Sequence, residues 1–267
     1  MINIDRTDRP FYNVDIFFGQ RHREAGLKLS IIKESDEMPG YILHLTAAKM
    51  YLDNILNKNP DDALYRDPQQ QNDFYIGNLL PDSVKGCEEK AVSHFRDPAY
   101  RDCMMEWPHP DRFVRKYEDR MNGADGAVYR GYLFHLYIDR CFFRDYIPEV
   151  VTFYNEIGRE TEIRSEITEV LLNKSGERIP PERYLSEEYY YGDYTKMNTR
   201  LIRKYDLPSD LKPGADPGIE EADYAGIYRI LDELERYSKI PECAADGLKV
   251  FDLDGLTAFL HFAVSLF

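Results

Sequence analysis

A histidine and an aspartate, His135 and Asp139, stand four residues apart in the almost wholly apolar and aromatic stretch 131–139. On a helix this spacing puts both side chains on one face, one turn apart. A helix that is apolar on nearly every side is usually buried, and a buried imidazole or carboxylate is costly unless something satisfies it. The two residues therefore either satisfy each other or hold a metal ion.

Three further residues offer the same kinds of ligand atom, namely His44, Asp82 and His94. With the first pair they make a mixed nitrogen and oxygen set, which suits zinc and also suits two metal ions bridged by a carboxylate. Taken singly, each residue is more typical of a structural role. A lone histidine in a helix is more often a satisfied core residue, and an aspartate after a proline is commonly a turn residue or a helix N-cap.

Helices must position these groups, because apolar residues recur mainly at helical spacing. His44 lies early in a helix predicted over residues 41–57, and His135 and Asp139 lie in a buried helix predicted over residues 128–145. The other helices predicted from the same periodicity cover residues 111–121, 149–174, 224–237 and 252–267.

The predicted fold class is mainly α, a compact multi-helix domain over residues 38–267. Residues 176–218 are rich in Tyr and Pro and are predicted to form a loop segment that serves as a lid, a binding loop or a surface wrap. Residues 1–37 are predicted to be an N-terminal extension, irregular or β-like, with short strands near residues 14–19 and 27–32.

Composition excludes several classes of function. The 267 residues carry a net charge of −14, which repels polyanions and argues against nucleic acid as a partner. No stretch approaches the roughly 18 apolar residues that span a bilayer, so no stable membrane insertion is expected. The four cysteines show no CxxC spacing, and no secretory signal is visible at the start of the chain, which together predict reduced thiols and a cytoplasmic protein. The oligomeric state is unknown from the sequence.

Four short motifs that contain the candidate ligands occur in one order along residues 38–150. They are His44-Leu45-Thr46-Ala47-Ala48, Gly77-Asn78-Leu79-Leu80-Pro81-Asp82, Ser93-His94-Phe95 and Gly131-Tyr132-Leu133-Phe134-His135-Leu136-Tyr137-Ile138-Asp139. In its residue types and their order, the series resembles the motifs of the zinc-dependent phospholipase C family, which includes phospholipase D-type relatives. Each motif is weak alone, and the joint occurrence is the more specific signal.

The resemblance implies an all-helical fold that holds zinc in a cleft. By this analogy Asp82, His94 and His135 would bind one ion, and Asp139 would bridge it to a second ion that His44 also binds. A metal-bridging water would be the nucleophile, and Asp82 could orient it as a base. Asp145 stands where a further ligand is expected. Because the chain lacks the downstream His-x-x-x-Glu of the family, one or two ions are expected, of zinc or of another divalent metal.

Two functions remain open at this point. The first is a metal-dependent hydrolase that acts on phosphoester bonds of a small molecule or lipid, such as a phosphodiesterase. The second is a non-catalytic helical domain with a vestigial or structural metal site that binds a ligand or partner. The metal content of the purified protein would separate them, since about two equivalents would favour catalysis.

Overall fold

Helices dominate the part of the chain that the structure describes, which confirms the predicted mainly α class. The structure is a computed structural model, and it describes residues 40–58, 66–123 and 125–267. The predicted extension over residues 1–37, with its strand-like segments, lies outside these residues. The helices are α1 (Tyr41–Lys58), α2 (Pro68–Leu79), α3 (Cys87–Ser93), α4 (Pro110–Met121), α5 (Gly126–Cys141), α6 (Ile147–Val150), α7 (Pro181–Tyr184), α8 (Tyr190–Tyr205), α9 (Ile227–Tyr237) and α10 (Leu253–Leu266).

The core forms around α5, which packs along α2 and also contacts α1, α4 and α10. Two glycines allow α2 and α5 to approach closely. A side chain at Gly77 would place its Cβ 1.9 Å from the carbonyl oxygen of Val128, and one at Gly131 would place it 2.0 Å from that of Phe74. Only hydrogen fits in such contacts, so the two glycines set the distance between the helices.

The prediction of a helix over residues 149–174 is wrong, because two antiparallel strands and the chain that connects them occupy this segment. Its strands β1 (Val151–Asn155) and β2 (Ile167–Leu172) pair with Val151 opposite Leu172, and β3 (Arg178–Ile179) adds to β2. The apolar residues here are largely β-branched or aromatic, which favours a strand over a helix. Ile157, which the helical pattern placed inside, is 70% exposed and lies in the turn that follows β1.

The loop predicted over residues 176–218 is correct only in part, because helix α8 occupies its centre. Tyr184, Tyr189 and Tyr190 are buried in the core rather than on a surface wrap. The fully buried carboxylate of Asp193 accepts hydrogen bonds from the three successive backbone N–H groups of residues 249–251, at 2.7–3.2 Å. These bonds join α8 to the chain that leads into α10, so the tyrosine-rich segment is a fixed part of the domain.

The predicted C-terminal helix is present as α10, and the side chain of Asp252 caps it by accepting a hydrogen bond from the Gly255 N–H. None of the helices within residues 40–58, 66–123 and 125–267 is both long and apolar enough to cross a membrane. All four cysteines fall within these ranges, and none of them is joined in a disulfide.

Candidate metal centre

Five of the six predicted ligands converge on one buried cluster. His44 comes from α1, Asp82 from a 3₁₀ turn after α2, and His94 from the residue that ends α3. His135 and Asp139 come from adjacent turns of α5, as their spacing predicted. All five are at most 8% exposed. Segments far apart in sequence thus bring three imidazoles and two carboxylates to one place.

The spacing of the ligand atoms suits a shared cation. The Nε2 atom of His94 lies 3.2 Å from Nε2 of His135, 3.5 Å from Oδ2 of Asp139 and 3.7 Å from Oδ1 of Asp82. The Nε2 atom of His135 lies 3.6 Å from the same Asp139 oxygen. Ligand atoms at zinc distances in a tetrahedron are about 3.4 Å apart, so these separations fit a single zinc ion.

Hydrogen bonds on the far side of two imidazole rings fix which nitrogen carries the proton. Nδ1 of His135 is 2.8 Å from the carbonyl oxygen of Asn78, and Nδ1 of His94 is 2.9 Å from that of Lys90. A carbonyl can only accept, so each Nδ1 donates, and in a neutral ring Nε2 then carries a lone pair. Two such lone pairs face each other across 3.2 Å, which is repulsive unless a cation or a proton lies between them.

The directions of the pKa shifts favour neutral imidazoles at His44 and His94 and an ionised carboxylate at Asp139, which are the forms that bind a cation. Burial lowers the pKa of His94 to about 3, against the opposing effect of Asp82, and burial likewise lowers the pKa of His44. Burial alone would raise the pKa of Asp139, but His44 and His135 outweigh it and hold that pKa well below its usual value. Burial would lower the pKa of His135 as well, but the Asp139 carboxylate raises the pKa of His135 overall.

The carboxylate of Asp82 completes this balance of charges. Burial would raise its pKa, but His135, Lys90 and His94 together lower it. The cluster therefore holds two ionised carboxylates against a single imidazole of raised pKa. That excess of buried negative charge favours a cation.

Asp139 is placed to join two positions within the cluster. Its Oδ1 lies 3.1 Å from Nε2 of His44, whereas its Oδ2 faces His94 and His135. The ring of His44 stacks on that of His135, with centroids 3.6 Å apart, and Nδ1 of His44 is buried without a hydrogen-bond partner among the described residues. Two overlapping sets of potential ligands result, His94 with His135 and Asp139, and His44 with Asp82 and His135. The donors thus suit one ion or a pair.

Asp145, the sixth predicted ligand, does not join the cluster. It lies in the wide helical turn Phe142–Tyr146 that follows α5, and its side chain is 47% exposed. Both carboxylate oxygens accept hydrogen bonds from Arg144, at 2.8 Å each. The structure therefore places Asp145 at the surface, where Arg144 engages its carboxylate, and its role as a metal ligand stays a prediction.

Two residues outside the ligand set, Arg229 and Ser93, hold the turn that carries Asp82. Arg229 of α9 donates from Nη2 to the carbonyl oxygens of Asp82 at 3.4 Å and Ser83 at 3.3 Å, and from Nη1 to the Tyr41 hydroxyl at 3.3 Å. From the other side, the hydroxyl of Ser93 donates to the carbonyl oxygen of Pro81 at 2.7 Å. Arg229 is separated by 146 residues from Ser83, so no local pattern could have predicted this contact.

We expect Arg229→Gln to weaken zinc binding about tenfold, because outer partners of metal ligands typically contribute 10–100-fold to affinity. Zinc affinity would be measured by competition with a chromophoric chelator. Arg200→Gln is the matched control, since Arg200 pairs with Asp246 away from the cluster. Equal zinc affinity in wild type and Arg229→Gln would show that the Asp82 turn does not depend on Arg229.

Comparisons of the chain with models of protein families, with curated proteins and with solved structures found no match. The interpretation of the cluster therefore rests on its geometry and chemistry and on the sequence motifs described above.

Proposed function

We propose that this protein is a metal-dependent hydrolase that acts on phosphoester bonds. The observation that carries the proposal is the pair of imidazole Nε2 atoms that face each other at 3.2 Å, beside two ionised carboxylates, with both Nδ1 atoms committed to backbone carbonyls. The four ordered motifs that resemble the zinc-dependent phospholipase C family support phosphoesters as the substrate class and zinc as the metal.

The residues divide into distinct roles in this proposal. His94, His135, Asp82 and Asp139 would hold one ion, and His44 with the second oxygen of Asp139 would help to hold another. Bound zinc supplies Lewis acidity toward a phosphoryl oxygen and lowers the pKa of water toward neutrality. Asp82 remains ionised because its pKa is lowered, so its carboxylate can orient a water molecule by accepting a hydrogen bond.

The ligand side chains of the cluster differ in their exposure. Of the ligand side chains, Asp139 is 11% exposed and His44 is 6% exposed, whereas His135 is fully buried. A substrate would therefore approach from the side of Asp139 and His44, while the apolar helices behind His135 exclude water. Exclusion of water strengthens the interaction of the fixed charges with a reacting group.

The test combines metal analysis with activity. Purified protein is expected to bind one or two equivalents of zinc, by elemental analysis, and to hydrolyse members of a panel of phosphomonoesters and phosphodiesters. Asp82→Asn is expected to lower kcat/KM about 100-fold or more, because it removes an ionised acceptor from the reacting centre. Asp145→Asn is the matched control, since Asp145 lies outside the cluster and should leave activity unchanged.

Protein that takes up no zinc, or an Asp82→Asn variant with full activity, would contradict the proposal. The near-complete burial of the five donors favours a second candidate, a structural metal site in a non-catalytic domain. Tightly bound zinc that stabilises the fold, together with no turnover of any substrate in the panel, would favour that candidate.

A further inference from the structure

A small cavity lies between residues 97–109 and the segment that leads into β2, and the described residues that line it include none of the five clustered donors. Its volume is about 100 Å³. The lining includes three carboxylates, two aromatic rings and one thiol, from Asp97, Tyr100, Cys103, Glu106, Trp107 and Glu162. A cavity that combines aromatic rings with carboxylates has the composition of a site for an organic cation.

The two aromatic rings are arranged so that one ligand can contact both. The rings of Tyr100 and Trp107 are 24° from parallel, and their centroids are 6.5 Å apart. A cation is attracted to the face of an aromatic ring within about 6 Å of the centroid, so a single cation can lie within range of both rings. Tyr100 is 42% exposed, so a solute can reach the pair from solvent.

The carboxylates of the cavity are only partly neutralised. Asp97 accepts a hydrogen bond from Arg112 at 2.6 Å. The Oε2 atom of Glu106 lies 3.8 Å from Nη1 of Arg96, which is beyond hydrogen-bond distance, although the Glu106 side chain is only 10% exposed. Glu162 is exposed at the edge of the cavity. Glu106 and Glu162 therefore retain negative charge that a ligand can balance.

The thiol of Cys103 reflects the negative potential within the cavity. Burial raises its pKa, and the charges of Glu162, Asp102 and Glu106 raise it further. A potential that disfavours a thiolate favours a cation, and the neutral thiol offers a polarisable surface. The net charge of −14 on the whole chain also attracts cations at long range.

Hydrogen bonds join the two segments that form the cavity. The Met104 N–H donates to the Glu162 carbonyl oxygen at 2.7 Å, and the Arg164 N–H donates to the Asp102 carbonyl oxygen at 2.6 Å. The Ser165 hydroxyl donates to the carboxylate of Asp102 at 2.7 Å. The cavity is thus a fixed part of the fold.

We propose that this cavity binds a small alkylammonium cation, with the rings of Tyr100 and Trp107 against its alkyl groups and with Glu106 and Glu162 as counter-charges. Alkyl groups on the nitrogen give the cation an apolar surface and weaken its hydration, which suits aromatic faces. A metal ion fits less well, because the groups of described residues that could jointly hold a metal ion all belong to the central cluster.

The test uses the fluorescence of Trp107, which is the only tryptophan of the chain. The protein would be titrated with tetramethylammonium chloride while sodium chloride keeps the ionic strength constant. We expect a saturable change in tryptophan emission and a shift of the single indole N–H signal in NMR spectra. Ammonium chloride and the uncharged tert-butanol should each bind at least about tenfold more weakly, because one lacks the alkyl surface and the other lacks the charge.

Variants locate the binding site. Tyr100→Leu should weaken tetramethylammonium binding about fivefold, because it removes one contact between the cation and a ring. Glu106→Gln should weaken it about fivefold, and the exposed Glu162→Gln about twofold. The matched controls are Tyr228→Leu, which changes a tyrosine that is 57% exposed on α9, and Glu118→Gln, which changes an exposed carboxylate on α4. Both controls should bind as wild type does.

Thermal unfolding of every variant separates loss of binding from loss of the fold. If Glu106→Gln does not fold, Tyr100→Leu and Glu162→Gln decide the question. No saturable change in either signal, equal responses to tetramethylammonium and tert-butanol, or equal affinities in wild type and Tyr100→Leu would overturn the inference. Zinc content and hydrolysis do not enter this test, so the proposed function stands or fails separately.

Discussion

Replacing His135 with alanine is expected to remove zinc binding at micromolar concentrations of the metal, with an affinity loss of at least about 100-fold. His135 is common to both sets of potential ligands, so its loss leaves each of them incomplete. Its Nε2 atom lies 3.2 Å from Nε2 of His94 and 3.6 Å from Oδ2 of Asp139, near the middle of the cluster. Elemental analysis and chelator competition would measure the change.

His261→Ala is the control for the loss of an imidazole. His261 is exposed on α10, and its ring lies 6.2 Å from that of Tyr205, away from the cluster. Far-UV circular dichroism of the metal-free proteins would confirm that His135→Ala retains its helices. Retention of the full zinc content by folded His135→Ala would exclude the proposed ligand set.

The largest effect on stability is expected from Gly131→Ala. The added methyl group would meet the Phe74 carbonyl oxygen at 2.0 Å and the backbone nitrogen of Asn78 at 2.8 Å. Backbone atoms of a packed helix cannot move aside as a flexible side chain can, so α2 and α5 must separate. We expect the free energy of unfolding to fall by about 3 kcal/mol or more, which urea denaturation would measure.

The same substitution is expected to weaken zinc binding, because separation of the helices lengthens the hydrogen bond from His135 Nδ1 to the Asn78 carbonyl oxygen. Gly214→Ala is the control, since a side chain at that glycine would meet no atom within 4 Å. An unfolding free energy for Gly131→Ala equal to that of wild type would mean that the close approach of α2 and α5 does not contribute to stability.

Sequence alone predicted the mainly helical class and six candidate ligands, five of which the structure brings together. Local geometry accounts for one pair of them. Helical periodicity places His135 and Asp139 on one face of α5 without reference to the rest of the fold. The remaining donors were recognised because their motifs occur in a particular order, whereas each motif alone favoured a structural role.

Features that depend on distant contacts could not be predicted in this way. The hydrogen bonds that fix the tautomers involve the backbone carbonyls of Asn78 and Lys90. Because every residue has a carbonyl, the sequence does not show which one accepts the bond. The segment that forms β1 and β2 was predicted to be a helix because its apolar residues occur at mixed spacing. Such spacing fits both the helical repeat and the alternation of a strand. Asp145 has the right chemistry, but its exposure and its pairing with Arg144 depend on how the chain turns after α5.

The two carbonyls that anchor the imidazole rings share a further property, because both lie in the last turn of a helix. Asn78 is near the end of α2, and Lys90 is near the end of α3. Aligned peptide dipoles give the carboxyl end of a helix a partial negative charge. Both helices thus direct the negative pole of a macrodipole toward the imidazoles. The backbone itself therefore adds to the preference of this place for positive charge, and a substitution that removed one carboxylate would leave that contribution intact.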